Sequence, residues 1–178
     1  MRQDGDPNDA ERRLTEWVRR YADPLRGYLW SLAPEPDRSS VEDLLQEVFL
    51  RAWRARADYV ELGREKAYLF RIADRILADR RRTAARRFED AADLDQTPDP
   101  SAPTPVDWLA EGETRRLAVQ ALEALSDPQR RTLLLRYFGE LRFEEIAEIL
   151  GCPLNTALSH ARRGLERLRA ILVREAEP

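Results

Sequence analysis

Residues 89–113, "EDAADLDQTPDPSAPTPVDWLAEGE", hold eight acidic side chains and no basic one, and they include Pro98, Pro100, Pro103 and Pro105. Proline removes a backbone donor and breaks helices, and with almost no large apolar residue before Trp108 the stretch has nothing to bury. It therefore predicts a flexible acidic linker over 89–113 that joins two globular units, one at 9–88 and the other at 114–173. At 178 residues the chain is long enough for one ordinary domain or two small ones, each with a modest core.

The net charge of −3 conceals a segregation along the chain. Residues 9–88 carry 18 basic and 14 acidic side chains, and residues 114–178 carry 11 and 9. Two mildly basic blocks flank an acidic one, so the overall charge says little about partners. Of the 30 basic residues only Lys66 is lysine. Arginine suits bidentate contacts to phosphate, but a GC-rich genome gives the same bias. No apolar run approaches the ~20 residues needed to span a bilayer. The first residues, "MRQDGDPNDAERR", lack the apolar core of a signal peptide. A cytoplasmic protein with no membrane insertion is expected. One cysteine, Cys152, and one histidine, His160, cannot assemble a disulfide or a zinc site of the usual kind, so no metal and no cofactor are expected.

The first unit reads as all-helical. Leu14, Trp17, Val18, Tyr21, Leu25, Tyr28 and Leu29 form a helical stripe with an expected bend or interruption near Pro24. After "APEPDRSS", Ser39 or Ser40 is placed to cap a second helix, with Glu42 or Asp43 completing a capping box. In "VEDLLQEVFLRAWRARA", Val41, Leu44, Leu45, Val48 and Ala52 gather on one side with Phe49 at the edge. Asp43, Gln46, Glu47, Leu50, Trp53 and Arg54 fall opposite. A leucine and a tryptophan among carboxylates exceed what a solvated face needs. Either another helix of the same domain covers them, or they are apolar anchors for another protein.

A further helix, "AYLFRIADRILADRRRTAARR", buries Leu69, Ile72, Ala73 and Ile76 and ends in Arg80, Arg81, Arg82, Arg86 and Arg87. Tyr68, Arg71, Arg75 and Asp79 share a neighbouring side. Tyr59 and Tyr68 beside arginines suit single-stranded nucleic acid, since rings stack on bases while guanidinium groups hold phosphates. A solvated basic helix end, favoured by the helix dipole, is the structural alternative.

In the second unit, "SDPQRRTLLLRYFGEL" opens with a cap at Ser126 or Asp127 followed by Pro128 and Gln129, and is expected to bury Leu133, Leu134, Tyr137 and Phe138. "FEEIAEILG" turns Ile146, Ile149 and Leu150 inward, with Ala147 small enough for a close crossing. Gly151 supplies a left-handed turn, Pro153 blocks continuation, and Asn155 is placed to cap the restart. Two helices broken and resumed at this spacing make a helix-turn-helix, which projects its second helix into a DNA major groove. Along that helix Ala157, Ala161, Leu165, Leu168 and Leu172 are expected inward, with Leu158 at the margin. Thr156, Ser159, His160, Arg163 and Arg167 point away, Arg162 on the flank, and can donate to phosphates and base edges. A plain helical hairpin with a charged face is the alternative.

Together the "VEDLLQEVFLRAWRA", "AYLFRIADRILADRRR" and "ALSDPQRRTLLLRYFGELRFEEIAEILGCPLNTALSHARRGLERL" stretches, in that order, resemble a bacterial sigma factor of the extracytoplasmic-function group in the sigma-70 family. The resemblance implies an all-α chain with a region 2 bundle at 9–88 and a region 4 helix-turn-helix at 114–173. It implies that Asp43, Gln46, Glu47, Leu50 and Trp53 bind core RNA polymerase through its beta-prime clamp helices, with the beta flap a further contact. Tyr59, Lys66, Tyr68, Arg71, Arg75, Asp79 and Arg80 would meet the minus-ten element. Asn155, Thr156, Ser159, His160, Arg162, Arg163 and Arg167 would meet the minus-thirty-five element. Promoter DNA and an anti-sigma factor are the other implied partners. The linker would run through the polymerase channel otherwise taken by RNA; folding back on the arginine-rich faces is its alternative course.

Four departures from the family pattern stand out. Tyr68 replaces the usual tryptophan, Asp74 and Arg75 stand where Arg-Asn is common, Leu158 and His160 replace frequent basic residues, and Arg142 replaces a serine cap. The implied function is transcription initiation without catalysis in this chain. A stand-alone DNA-binding regulator using only the second unit is the rival from another class. No glycine-rich phosphate loop, Ser/His/Asp set or metal cluster speaks for an enzyme.

Overall fold

The computed structural model describes residues 7–33, 37–56, 63–90 and 121–176, with side chains for all of these except 7–8, 84–90 and 175–176. Tyr59, most of the linker with Trp108, and the side chains of Arg86 and Arg87 lie outside the described residues. Among the described residues the fold is carried by α1 (Pro7–Leu32), α2 (Arg38–Arg54), α3 (Glu65–Asp90), α4 (Asp127–Phe138), α5 (Phe143–Leu150) and α6 (Leu154–Ala176), and residues 121–123 are helical as well. Among the described residues there is no strand.

Helices α1, α2 and α3 form the first lobe. The apolar stripe of α2 is the expected one: Val41, Leu44, Leu45, Val48, Phe49 and Ala52 are all buried. The cap is not. Asp37, upstream of the expected Ser39 and Ser40, is the N-cap and accepts from the Ser40 backbone N–H at 2.7 Å. The Ser40 hydroxyl in turn accepts from the Asp37 N–H at 3.1 Å, so serine serves at the third helical position of the capping box. Helix α1 runs unbroken through Pro24. The hydrogen bond that proline forfeits is offset by Leu25, Tyr28 and Leu29 just beyond it, whose side chains are wholly buried. Across the bundle Tyr28 meets Phe70 edge to face at 5.4 Å, Arg26 bonds Glu42 at 2.7 Å, and the Tyr21 hydroxyl donates to Glu65 at 3.0 Å.

Helices α4, α5 and α6 form the second lobe. Ser126 caps α4, with the Gln129 side chain accepting from its backbone N–H at 3.2 Å. Three consecutive leucines leave the rotation of α4 undecided in the sequence. In the structure Leu134, Leu135 and Thr132 are buried, while Tyr137, expected inside, is 70% exposed. Arg142 is the N-cap of α5, and its N–H is satisfied by Glu145 Oε2 at 2.8 Å, so the missing serine is replaced by the carboxylate side of a capping box. Gly151 closes α5 at φ 65°, ψ 37°, in the left-handed region. Asn155 is not the cap of α6. The Pro153 carbonyl accepts from Thr156 and Ala157 at 2.9 and 3.1 Å, which places Asn155 inside the first turn.

The inner face of α6 also differs from expectation. Ala157, Ala161 and Gly164 are buried, whereas Leu165 is 58% exposed and Leu172 is exposed too. Gly164 decides the rotation. A Cβ there would stand 2.9 Å from Leu133 Cδ1, so the absent side chain lets α6 close on α4 along this line and turns Leu165 outward.

The two lobes pack against each other. Asp74 on α3 is almost wholly buried; it accepts from the Tyr28 hydroxyl at 2.7 Å and from Arg131 Nε on α4 at 2.9 Å, and it also pairs with Arg131 Nη2. Arg81 of α3 bridges to Asp127 of α4 and donates to the Leu32 carbonyl at 3.3 Å. Gly27 on α1 faces the Phe138 ring, which a Cβ would meet at 2.4 Å. A buried ion pair is a weak source of net stability, but removing one partner strands a charge and costs ~3–5 kcal/mol.

Two outcomes follow from these contacts. Nothing lies within 4 Å of a Cβ built on Gly151, so Gly151→Ala is expected to cost only its backbone strain, ~1 kcal/mol, seen as a lower urea midpoint with an unchanged slope. Burial first, and the charge of Asp74 second, push the Tyr28 phenol well above its ordinary value near 10. The folded state therefore holds that proton more tightly than the unfolded one. Its stabilising effect is complete below pH 10 and is lost as pH climbs toward the folded value. An alkaline absorbance titration is expected to show one phenolate appearing only with unfolding, a step absent from Tyr28→Phe.

Candidate functional site

Three surfaces hold the residues of interest. The first is the outer face of α2. Its stripe of buried residues fixes the helix against α1 and α3, which forces the remaining positions outward. Asp43, Gln46 and Leu50 are exposed, Leu50 to 40%. Glu47 accepts from Arg51 Nε at 2.7 Å, and Trp53 is half-buried with the Arg56 guanidinium 4.1 Å from its ring centre. No helix of the described chain covers Leu50. Gln46 and Leu50 form a ridge between two concavities. One, of about 520 Å³, is walled by Leu14 and Val18 of α1 with Phe49 and Trp53. The other, of about 370 Å³, is walled by Asp43, Glu47, Ile76, Asp79 and Arg80. An apolar ridge rimmed by carboxylates and guanidinium groups suits a partner helix that brings both apolar and charged side chains.

The second surface belongs to α3. Arg75 is exposed, and Tyr68 is half-buried with its ring edge-on to Trp17 at 6.3 Å. Lys66 and Arg71 are held by the other lobe: Lys66 Nζ lies 3.2 Å from Glu140, and Arg71 Nη2 lies 3.5 Å from Glu148. Asp79 and Arg80 fall elsewhere, on the wall of the second concavity beside α2, where Asp79 pairs with Arg82 and lies 3.8 Å from Arg51. The expected minus-ten set is therefore split between two neighbourhoods. Arg64 escaped the sequence analysis although it belongs with Lys66 and Arg71; its Nη2 reaches Glu148 at 2.8 Å. Its place in a loop beside Lys66 was the only available signal.

The third surface is the outward side of α6. Asn155, Arg162, Arg163 and Arg167 are exposed, and Thr156, Ser159 and His160 are half-buried near the turn. Arg162 lies 3.8 Å from Glu166. Leu158 stands exposed among them. Packing of α6 on both α4 and α5 through Ala157 and Ala161 holds this side rigidly away from the lobe. Hydroxyl, imidazole and guanidinium donors along one helix can address phosphates and base edges together.

Among the described residues no group of His, Cys, Asp and Glu is arranged to hold a metal, and no helix is long and apolar enough to cross a membrane.

Comparison with known proteins agrees with this layout. Residues 17–87 match the family described as sigma-70 region 2, and residues 115–168 match sigma-70 region 4. The chain is 34% identical over 142 residues to the ECF RNA polymerase sigma factor SigK of Mycobacterium ulcerans, covering 76% of this chain and 74% of the relative. SigK of Mycolicibacterium vanbaalenii is 33% identical over 134 residues, covering 74% and 68%. Among solved structures, the sigma factor RpoE of Bartonella quintana, in complex with the anti-sigma factor NepR, has the same fold at TM-score 0.75 and 23% identity, covering 90% of this chain and 97% of that one. CnrH in complex with the cytosolic domain of CnrY matches at TM-score 0.67 and 22% identity, covering 94% and 91%. With a region 2 bundle, a region 4 helix-turn-helix and this degree of identity, the chain belongs to the ECF sigma factors of the sigma-70 family, which direct RNA polymerase to promoters for transcription initiation.

Proposed function

We propose a division of labour among the three surfaces, with the lobes bounded at 9–88 and 114–173 and joined by 89–113. The ridge of Gln46 and Leu50, flanked by Asp43, Glu47 and Trp53, docks on the beta-prime clamp helices of core polymerase. The single observation that carries this is Leu50, an exposed leucine set between two concavities on a helix whose other aliphatic residues are buried. Leucine anchors the contact and the carboxylates orient it. Asp79 and Arg80 line the same ridge and take part in this contact rather than in base recognition.

On α3, Lys66, Tyr68, Arg71 and Arg75 hold the melted minus-ten strand, the cations on phosphates and the ring against a base. Tyr59 completes that set from outside the described residues. On α6, Asn155, Thr156, Ser159, His160, Arg162, Arg163 and Arg167 address the minus-thirty-five element, and the beta flap contacts the same lobe. Nucleotidyl transfer and its metal belong to polymerase, and this chain is not an enzyme. The protein works in the cytoplasm, where its template is. An anti-sigma factor is a further partner, as in the complex of RpoE with NepR.

Leu50→Asp combined with Gln46→Ala is expected to abolish co-elution with core polymerase while the helical circular dichroism is unchanged; retained co-elution overturns the docking face. Arg163→Ala is expected to weaken upstream promoter binding by the holoenzyme and to lower the slope of log affinity against log salt by about one unit if it contacts a phosphate. An unchanged slope with relaxed base preference would instead assign Arg163 to base reading.

A further inference from the structure

The leading end of α6 mixes two kinds of side chain. Asn155, Ser159, Arg162 and Arg163 can all donate hydrogen bonds, whereas Leu158, standing among them, is 41% exposed and can donate none. Asn155 lies one helical turn before it and Arg162 one turn after it, both exposed, so the three share one edge of the helix. Ala157 and Ala161 are buried, which fixes the rotation of this turn and holds Leu158 outside. Exposed leucines recur at Leu165 and Leu172. Their reach differs. With α6 starting at Leu154, Leu158 stands about 6 Å along the axis, Leu165 about 16 Å and Leu172 about 27 Å. A major groove is about 12 Å wide, and a helix-turn-helix enters it with the first turns of its second helix. Leu158 therefore shares the groove with Asn155 and Ser159, and the two later leucines lie past the base edges.

We propose that Leu158 reads a thymine: its side chain packs against the C5 methyl group of a T·A pair in the minus-thirty-five element, between polar contacts made by Asn155 and Arg162. This rests on the assignment of α6 to that element made above. The chemistry of the base edges leaves one choice. In the major groove every base pair shows donors or acceptors, and thymine alone adds a methyl group. A purine edge set against Leu158 would lose water from its polar atoms and gain no partner, which costs free energy. Cytosine has only a hydrogen where thymine has the methyl. Against thymine, the leucine surface and the methyl leave water together, which is favourable. Such a contact discriminates only if the side chain is held in register, and the packing of Ala157 and Ala161 into the lobe supplies that hold. It carries no charge and releases no counterion, so it adds sequence preference without adding salt dependence.

The test uses the full chain assembled with core RNA polymerase, and duplex DNA that this holoenzyme selects from a pool randomised across the upstream element. The selected element is expected to hold a T·A pair at one position where the preference disappears with Leu158→Ala, a change at an exposed helical position that alanine suits. Replacing that thymine by deoxyuridine removes the methyl group alone. The exchange is expected to weaken binding by the parent about fourfold, the effect of losing one buried methyl, and to leave Leu158→Ala unaffected. Leu165→Ala, which removes a more exposed leucine seven residues on, is expected to keep the parent's sensitivity to the exchange. The slope of log affinity against log salt is expected to be the same for the parent and Leu158→Ala. A thymine preference retained by Leu158→Ala, an exchange that both proteins feel equally, a slope that changes with Leu158→Ala, or a Leu165→Ala protein that loses the sensitivity as well, each overturns the thymine contact. If Leu158→Ala and Arg163→Ala both bind the selected element as the parent does, the assignment of α6 to the minus-thirty-five element fails too; weakening by Arg163→Ala alone sinks the thymine contact and leaves that assignment standing.

Discussion

Asp74 is the point on which the arrangement of the whole chain turns. A carboxylate buried in a helical bundle is tolerable only when its charge and lone pairs are answered, and here a phenol from α1 and a guanidinium from α4 answer them. Three helices from two separately patterned units are thereby tied to one oxygen pair. Burial pulls the Arg131 guanidinium down, but the hydrogen bond and charge of Asp74 outweigh it and leave its pKa raised, so Arg131 stays a cation. Hydrophobic packing alone could join the lobes in several rotations; a bidentate ion pair with a buried phenol permits one.

That one arrangement sorts the surfaces. It leaves the ridge on α2 and the arginines of α6 facing outward, and it brings the first turn of α3 under the acidic side of α5. Two carboxylates, Glu140 and Glu148, answer three cations there, Lys66, Arg64 and Arg71.

The helix-turn-helix illustrates how far local chemistry reaches. Gly151 adopts the left-handed conformation that its position between two apolar runs calls for, Pro153 ends one helix and begins the next, and Glu145 replaces a serine cap by bonding to the Arg142 backbone. The stripe of α2 was equally legible, because six buried positions at helical spacing admit one solution. Where the local pattern was degenerate the outcome differed. Leu133, Leu134 and Leu135 offered no unique face, and Tyr137 went to solvent. On α6, Leu165 and Leu172 were expected inward with Ala157, Ala161 and Leu168, but Gly164 set the crossing and those two leucines lie outside.

Sequence by itself determined the buried stripe of α2, the break at Gly151 and Pro153, and the family, because each depends on residues within a few turns of one another. Tertiary structure alone decided which cations of α3 are free, that Asp79 and Arg80 border the α2 ridge, and that Asp74 joins Arg131 across 57 positions of chain. The reason is physical. Periodicity records how strongly a residue prefers to be buried, whereas the partner of a buried charge is set by the rotation and crossing of helices distant in the chain, and small side chains such as Gly27 and Gly164 control that crossing without any signature of their own.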